Sequence, residues 1–219
     1  ETGENLLQEF REKSKEAHFI QADLNEKGSC EEIVNKTLKK YGKIHALVNN
    51  AGRNDNVGLE RGSPAEFATS VFNNLNHYYE MAHFCLPALK ESKGNIINIS
   101  SKVALTGQGG TSGYAAAKGA QLALTREWAA ELLPYEIRVN AILPGDVMTP
   151  LYKSWLDTFD DSKAKLEKIT SNIPLGKRMT TDTEIANLAV FLISEKSAHT
   201  TGQFLFPDGG YVHLDRSLT

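Results

Sequence analysis

Tyr114 and Lys118 stand at the two ends of the pentapeptide Tyr-Ala-Ala-Ala-Lys. On a helix that spacing puts both side chains on one face. A tyrosine hydroxyl ordinarily loses its proton near pH ~10, too high for a base at neutrality. A lysine ammonium a few ångströms away favours the phenolate and lowers that value. The tyrosine can then accept or deliver a proton while a hydride moves at a neighbouring carbon. A serine hydroxyl such as that of Ser101 can hydrogen-bond a substrate oxygen and fix its place. With seven tyrosines in the chain, one Tyr-x-x-x-Lys spacing is weak evidence by itself. The plain alternative is an amphipathic helix with a solvated lysine.

What argues against that alternative is position. Strands are expected at Ile44 to Asn49, Asn95 to Ser100 and Arg138 to Leu143. They end in Asn49-Asn50-Ala51-Gly52, in Ser100-Ser101 and in Pro144-Gly145-Asp146-Val147-Met148-Thr149. Open α/β sheets bind ligands outside the carboxyl ends of their strands. The polar groups thus fall where a site would form.

The elements between them follow from periodicity and caps. Residues 5–17 and 113–133 are helical in pattern, and 150–170 are helical but polar and less regular. Ser29 with Glu32, and Thr181 with Glu184, have capping-box spacing, predicting helices over 30–41 and from 181 to about Ser194. Ser63, Pro64 and Glu66 open a long helix reaching about Lys90. Short strands are expected at His18 to Leu24 and at Gln203 to Phe206. Strands and helices alternate almost strictly, which gives a parallel sheet covered on both faces. The fold class is α/β, a doubly wound parallel sheet in a single domain over residues 1–219.

Composition narrows the function. A length of 219 residues and 41% hydrophobic content suit one domain with a real core. A net charge of −3 leaves no basic field for nucleic acid or an anionic membrane surface. No apolar run reaches the roughly 20 residues that span a bilayer, and no leader pattern opens the sequence, so a cytoplasmic location is expected. Cys30 and Cys85 read as free buried thiols, with a disulfide as the alternative. The six histidines show no ligand spacing, so no metal is expected.

The whole set resembles the classical short-chain dehydrogenase/reductase family, over essentially the full chain. Asn49-Asn50-Ala51-Gly52 matches the family's NNAG, Tyr114 and Lys118 its YxxxK, Ser101 its catalytic serine, and Pro144-Gly145 its PG. Asn74 falls at the fourth catalytic position, with Asn73 beside it as the other register. The closing Thr201-Gly202-Gln203 and Pro207-Asp208-Gly209-Gly210 are similar to the family's ending. The resemblance implies a Rossmann-like sheet and an NAD or NADP cofactor; the strand end that chooses between them is not in these residues, and NAD is taken as the expectation. It implies that Tyr114 is the acid/base and that Lys118 lowers its pKa and holds the nicotinamide ribose. Ser101 positions the substrate oxygen, and Asn74 supports a relay water. Asp23 and Leu24 lie at the adenine side, where Asp23 could instead be an ordinary cap. Asn50, Ala51 and Gly52 line the adenosine, Asn49 stabilises its turn, and Val147 and Thr149 contact the carboxamide.

The family opens with a strand, a TGxxxGxG turn, a helix and a second strand, and none of these is found in the 219 residues. With strand order 3-2-1-4-5-6, that leaves a gap of about 14 Å between the 18–24 and 44–49 strands. The expectation is a polypeptide with roughly 35 further residues upstream.

Gly107-Gln108-Gly109-Gly110 superficially resembles a dinucleotide turn, but Ser112 stands where the third glycine should be. It reads as a flexible loop beside the substrate. Arg53, Gln108, Asp146 and Trp155 are the candidate substrate residues, with Asp146 either binding a hydroxyl or facing water. A lid is expected over 150–175. The polar run Arg53-Asn54-Asp55-Asn56 and the mixed lid suit a polyol or sugar better than an acyl chain. Several stretches, including Ser100 to Tyr114 and Asp208 to Arg216, resemble the family's bacterial sugar dehydrogenases, the L-fucose dehydrogenases in particular. A 3-oxoacyl carrier-protein reductase is the alternative inside the family. A cofactor-sensing or scaffold protein is the alternative outside it. The helix at 64–90 is apolar on more than one face, and the resemblance implies a homotetramer or homodimer through it.

Overall fold

Ile96 and Ile97 are neighbours in one strand, yet they belong to different cores. Successive side chains of a strand point to opposite faces. Both faces of the sheet are therefore covered, as the near-continuous apolar runs require. The computed structural model describes residues 2–13 and 16–215. Four strands are hydrogen-bonded in parallel and in sequence order: β1 (Ala46–Asn49), β2 (Asn95–Ile99), β3 (Arg138–Ile142) and β4 (Phe204–Leu205).

The helices are α1 (Thr2–Glu12), α2 (Ser29–Tyr41), α3 (Pro64–Ser92), α4 (Val103–Thr106), α5 (Ser112–Glu131), α6 (Pro150–Leu156), α7 (Ser162–Thr170) and α8 (Asp182–Ile193), of which α3, α5 and α8 pack on the strands. One core joins Tyr78 and Leu89 of α3, Trp128 of α5, and Ile96 and Val139 of the sheet. The other joins Ile97, Ile99 and Ile142 to Leu192 of α8. The layers are helix, sheet, helix: an α/β Rossmann-like fold in a single domain. Among the described residues no helix is long and apolar enough to cross a membrane.

Two caps form as their spacing predicts. Ser63 accepts from the Glu66 amide while Glu66 accepts from the Ser63 amide, and Thr181 and Glu184 repeat the exchange. Ser29 and Glu32 do not. Helix α2 starts one residue earlier than expected, Gly28 is its N-cap in the left-handed region, and no side chain caps it. Ser29 is buried there, and Glu32 pairs instead with Lys36 one turn on.

Three other expectations need correction. The segment 18–24 is not a strand, because a strand is held by ladder bonds and none of the four strands pairs with it. The 150–170 helix is two helices, since Asp161 accepts from the Ala164 amide and starts α7 afresh. Helix α4, a single turn that starts two residues after Ser101, is not predicted by the sequence. Four residues are too few for periodicity to show. The expected 5–17 helix ends at Glu12, and residues 14 and 15 lie outside the described residues.

Candidate active site

The carboxyl ends of β1, β2 and β3 converge on one rim. Ser100 and Ser101 follow β2, and the helix α5 that carries Tyr114 and Lys118 packs across it. Two bonds fix that packing. The Lys118 Nζ donates to the Ile99 carbonyl at 2.7 Å, and the Ser100 hydroxyl donates to the Lys118 carbonyl at 2.8 Å. The Ser101 hydroxyl lies close enough to the Tyr114 phenol to lower its pKa. Lys118 Nζ lies 5.6 Å from the centre of the Tyr114 ring. The three side chains proposed from the sequence are therefore brought together.

Their electrostatics differ in one respect from the expectation. Burial pushes the Tyr114 phenol above its ordinary value, and the Ser101 hydroxyl pulls the other way. The ammonium does not lead that balance. Lys118 is itself buried, which depresses its pKa to about 7, so it carries only part of a charge near neutrality. Its Nζ is oriented toward Ile99, Tyr78 and Gln121.

Asn74, not Asn73, is the buried asparagine, at 2% exposure. Its Oδ1 accepts from the Arg53 amide at 2.7 Å and its Nδ2 donates to the Ser70 carbonyl at 2.9 Å. A Cβ on Gly52 would sit 3.1 Å from Asn74 Oδ1 and 3.6 Å from Lys118 Nζ. Gly52 thus leaves open a space bounded by both polar groups. From there a cleft of about 520 Å³ runs along Asp23, Leu24, Ala51, Asn74 and His77. An elongated ligand with a polar sugar suits this lining: a bare glycine floor, the Asn74 amide, main chain and the Asp23 carboxylate. Among the described residues no three His, Cys, Asp or Glu side chains are grouped to hold a metal ion.

Several residues have more to do than the sequence indicated, or something different. Asp23 accepts from the Asn25 amide and shapes its own turn while also lining the cleft. Asn49 does not hold its turn. It bridges Asn98 of β2 and the Tyr78 carbonyl of α3. Thr149 caps α6, accepting from the Tyr152 amide, while its O–H remains able to donate. Val147 forms a bridge with Thr180, and the Pro144 carbonyl accepts from the Lys102 amide. Gly145 packs against Asp208, where a Cβ would be 3.1 Å from the Asp208 Cα. Asn50 is exposed just past β1. Arg53 contributes its amide rather than its guanidinium to Asn74.

Gln108 is exposed in a loop whose glycines 107, 109 and 110 all have positive φ. Trp155 packs edge-on to Tyr152 within α6 and to Phe159 just beyond it. Asp146 does not face water. It forms an ion pair with Lys102, both side chains largely covered, and accepts from the Tyr152 hydroxyl at 3.3 Å.

Sequence reasoning passed over Gln121 and His77. Gln121 donates to the Asn74 carbonyl at 2.8 Å, and its own carbonyl accepts from the Thr125 hydroxyl. The Asn98 amide nitrogen donates to that hydroxyl, extending a buried polar chain from β1 to Asn74. His77 Nε2 lies 3.1 Å from the Ala51 carbonyl. The signals were present: Gln121 is one turn beyond Lys118, and His77 one turn beyond Asn74.

The chain is similar to several known proteins. The family model described as enoyl-(acyl carrier protein) reductase matches residues 1–212. L-fucose dehydrogenase of Rattus norvegicus is 37% identical over 193 residues, 88% of this chain and 71% of the relative. The 3-oxoacyl-[acyl-carrier-protein] reductase FabG of Thermotoga maritima is 35% identical over 191 residues, 87% of this chain and 75% of the relative. The crystal structure of Cj0485 dehydrogenase superposes with a TM-score of 0.93 at 52% identity, over 97% of this chain and 82% of the other.

Proposed function

This chain belongs to the short-chain dehydrogenase/reductase family, and from that premise we propose that its rim interconverts a hydroxyl and a carbonyl on a small aldose of the L-fucose type. It is an oxidoreductase that uses NAD or NADP. The observation that carries the reading is the convergence of Ser101, Tyr114 and Lys118 on the tip of β2.

The residues fit a dinucleotide. Gly52 leaves the space that a Cβ would fill between Asn74 and Lys118, and the cleft continues to Asp23. Ala51 and Gly52 would line the adenosine, and Pro144, Gly145 and Val147 the nicotinamide end. When bound, the nicotinamide supplies the carbon that accepts or returns a hydride. We favour NAD.

The protein's own work is positioning and proton transfer. Ser101 donates to the substrate oxygen and holds it against the Tyr114 hydroxyl. In reduction the buried, protonated phenol gives its proton to the carbonyl oxygen as that oxygen gains charge. In oxidation Tyr114 must first lose that proton, and then takes the one on the substrate hydroxyl. Lys118, ionised in part near neutrality, supports the phenolate once formed. Asn74 and Gln121 hold this corner through the buried polar chain.

An aldose is supported by the L-fucose dehydrogenase relatives and by the polar run from Arg53 to Asn56. The FabG relatives at similar identity keep the acyl thioester as the second reading. The segment 150–175, holding α6 and α7, serves as the lid, and α3 with its exposed Phe67 supports a homo-oligomer. The test is a screen of the intact polypeptide with NAD and NADP against L-fucose, D-arabinose, L-galactose and an acetoacetyl thioester, following reduced nicotinamide by absorbance. Turnover of the aldoses is expected. Turnover of the thioester alone ends the sugar reading.

A further inference from the structure

Three stretches distant in sequence, at 102, 146–152 and 211, bring side chains together around Lys102, the residue after Ser101. Lys102 follows the serine directly. Asp146 follows Pro144-Gly145 at the tip of β3. Tyr152 lies on α6, and Tyr211 on the closing turn. Lys102 Nζ pairs with an Asp146 carboxylate oxygen and also stands 3.8 Å above the Tyr211 ring centre. The Tyr152 hydroxyl donates to the other Asp146 oxygen at 3.3 Å. Side-chain exposure is only 12% for Lys102 and 15% for Asp146. Exposed ion pairs add little and are easily lost, whereas a covered pair carries a desolvation cost that a purely structural contact could have avoided.

The cluster is also braced from behind. The Asp146 carbonyl accepts from the Thr180 amide at 3.0 Å. Asp208, 3% exposed, accepts from the Gly210 amide at 2.8 Å and the Val212 amide at 2.9 Å, which fixes the turn carrying Tyr211. The Lys102 amide is tied to the Pro144 carbonyl. The charged pair is therefore fixed at the carboxyl ends of β2 and β3, the rim that also carries Ser101.

We propose that the Lys102–Asp146 pair, with the Tyr152 hydroxyl, is the specificity-determining subsite for a neutral polyhydroxylated substrate. The subsite reads hydroxyls other than the one oxidised. It offers a carboxylate acceptor and an ammonium donor side by side, the pattern that a vicinal diol completes by donating to one and accepting from the other. An alkyl chain there would cover both charges without replacing their hydrogen bonds, and such a site rejects a substrate lacking the matching hydroxyls. A carboxylated substrate would meet Asp146. The proposal rests on the aldose reading above and specifies which residues would do the discriminating.

The experiment compares kcat/KM for L-fucose and for the acetoacetyl thioester in the wild-type protein and in Asp146→Asn, Lys102→Met and Tyr152→Phe, with Asp146→Glu as the conservative variant. Thermal midpoints and cofactor titration report folding. The expected result is a fall of at least tenfold in the aldose-to-thioester ratio for Asp146→Asn, mostly in aldose KM, with partial recovery in Asp146→Glu. If wild-type protein turns over no aldose, the aldose reading fails, whatever the variants do. If it does turn over aldoses, but folded variants lose both substrates in equal proportion, the subsite proposal fails and the aldose reading stands.

Discussion

Lys118 is tied twice to the tip of β2: its Nζ donates to the Ile99 carbonyl at 2.7 Å, and its own carbonyl accepts from the Ser100 hydroxyl at 2.8 Å. The strand end that delivers Ser101 and the helix that delivers Tyr114 are thereby joined at the residue between them. The cost is a buried amine, and that cost depends on pH.

Its sign is fixed by the direction of the shift. The Lys118 pKa falls from 10.5 to about 7 on folding. Between those values the unfolded chain holds a proton that the native protein has released, so stability should rise with pH across that window. Below pH ~7 both states are protonated and the full desolvation penalty applies. Urea titrations at intervals from pH ~6.5 to ~10 should show this slope in the wild type and a shallower one in Lys118→Met. Equal slopes would show that the amine is not desolvated as described.

The Tyr114 phenol is pushed up by burial, so in oxidation it must be deprotonated against that push. Oxidative turnover should therefore climb on the alkaline side of neutrality, and reduction should not. Tyr114→Phe should lose roughly 10²-fold or more in kcat in both directions while still binding cofactor. A protein whose output is binding alone would be indifferent to that change, so retained function in Tyr114→Phe would point to a sensor or scaffold.

Gly52 faces Asn74 and Lys118 with no side chain between. In Gly52→Ala the new Cβ meets Asn74 Oδ1 at 3.1 Å, a contact that the asparagine can relieve only by loosening its bond to the Arg53 amide. We expect cofactor affinity to weaken about tenfold, equivalent to ~1.4 kcal/mol, with a small change in thermal midpoint. Calorimetric titration with NAD and NADP measures it.

Gly113, near the start of α5, packs directly against Ser70 of α3. A Cβ there would lie 2.4 Å from the Ser70 Oγ and 2.5 Å from its Cβ. Gly113→Ala should destabilise by about 1–3 kcal/mol through overpacking. Ser70→Gly in the same chain should restore part of the loss in a denaturant midpoint, and failure to do so would place the strain elsewhere.

Thr181 caps α8, which covers the face of the sheet holding Ile97 and Ile142. Thr181→Ala should cost about 1 kcal/mol, a loss read as a lower thermal midpoint. Thr181→Ser should keep most of it.

The sequence by itself determined the elements that depend on neighbours along the chain. The capping boxes at Ser63 and Thr181, the apolar strands ending at Asn49, Ile99 and Ile142, and the Tyr114–Lys118 spacing follow from local rules and were all legible. It also marked which residues lie at strand ends, and so which could share a rim. What it could not fix was anything set by contact across the fold. The 18–24 segment has strand-like residues but no ladder in the described sheet, because strand structure is a property of pairs. That Thr149 would also cap α6 was decided by where that helix starts. Asp146 could equally have faced water until the β2 tip, α6 and the closing turn brought Lys102, Tyr152 and Tyr211 around it. Spacing along a chain encodes which face a residue takes, and only packing decides what stands opposite that face and whether water is excluded between them.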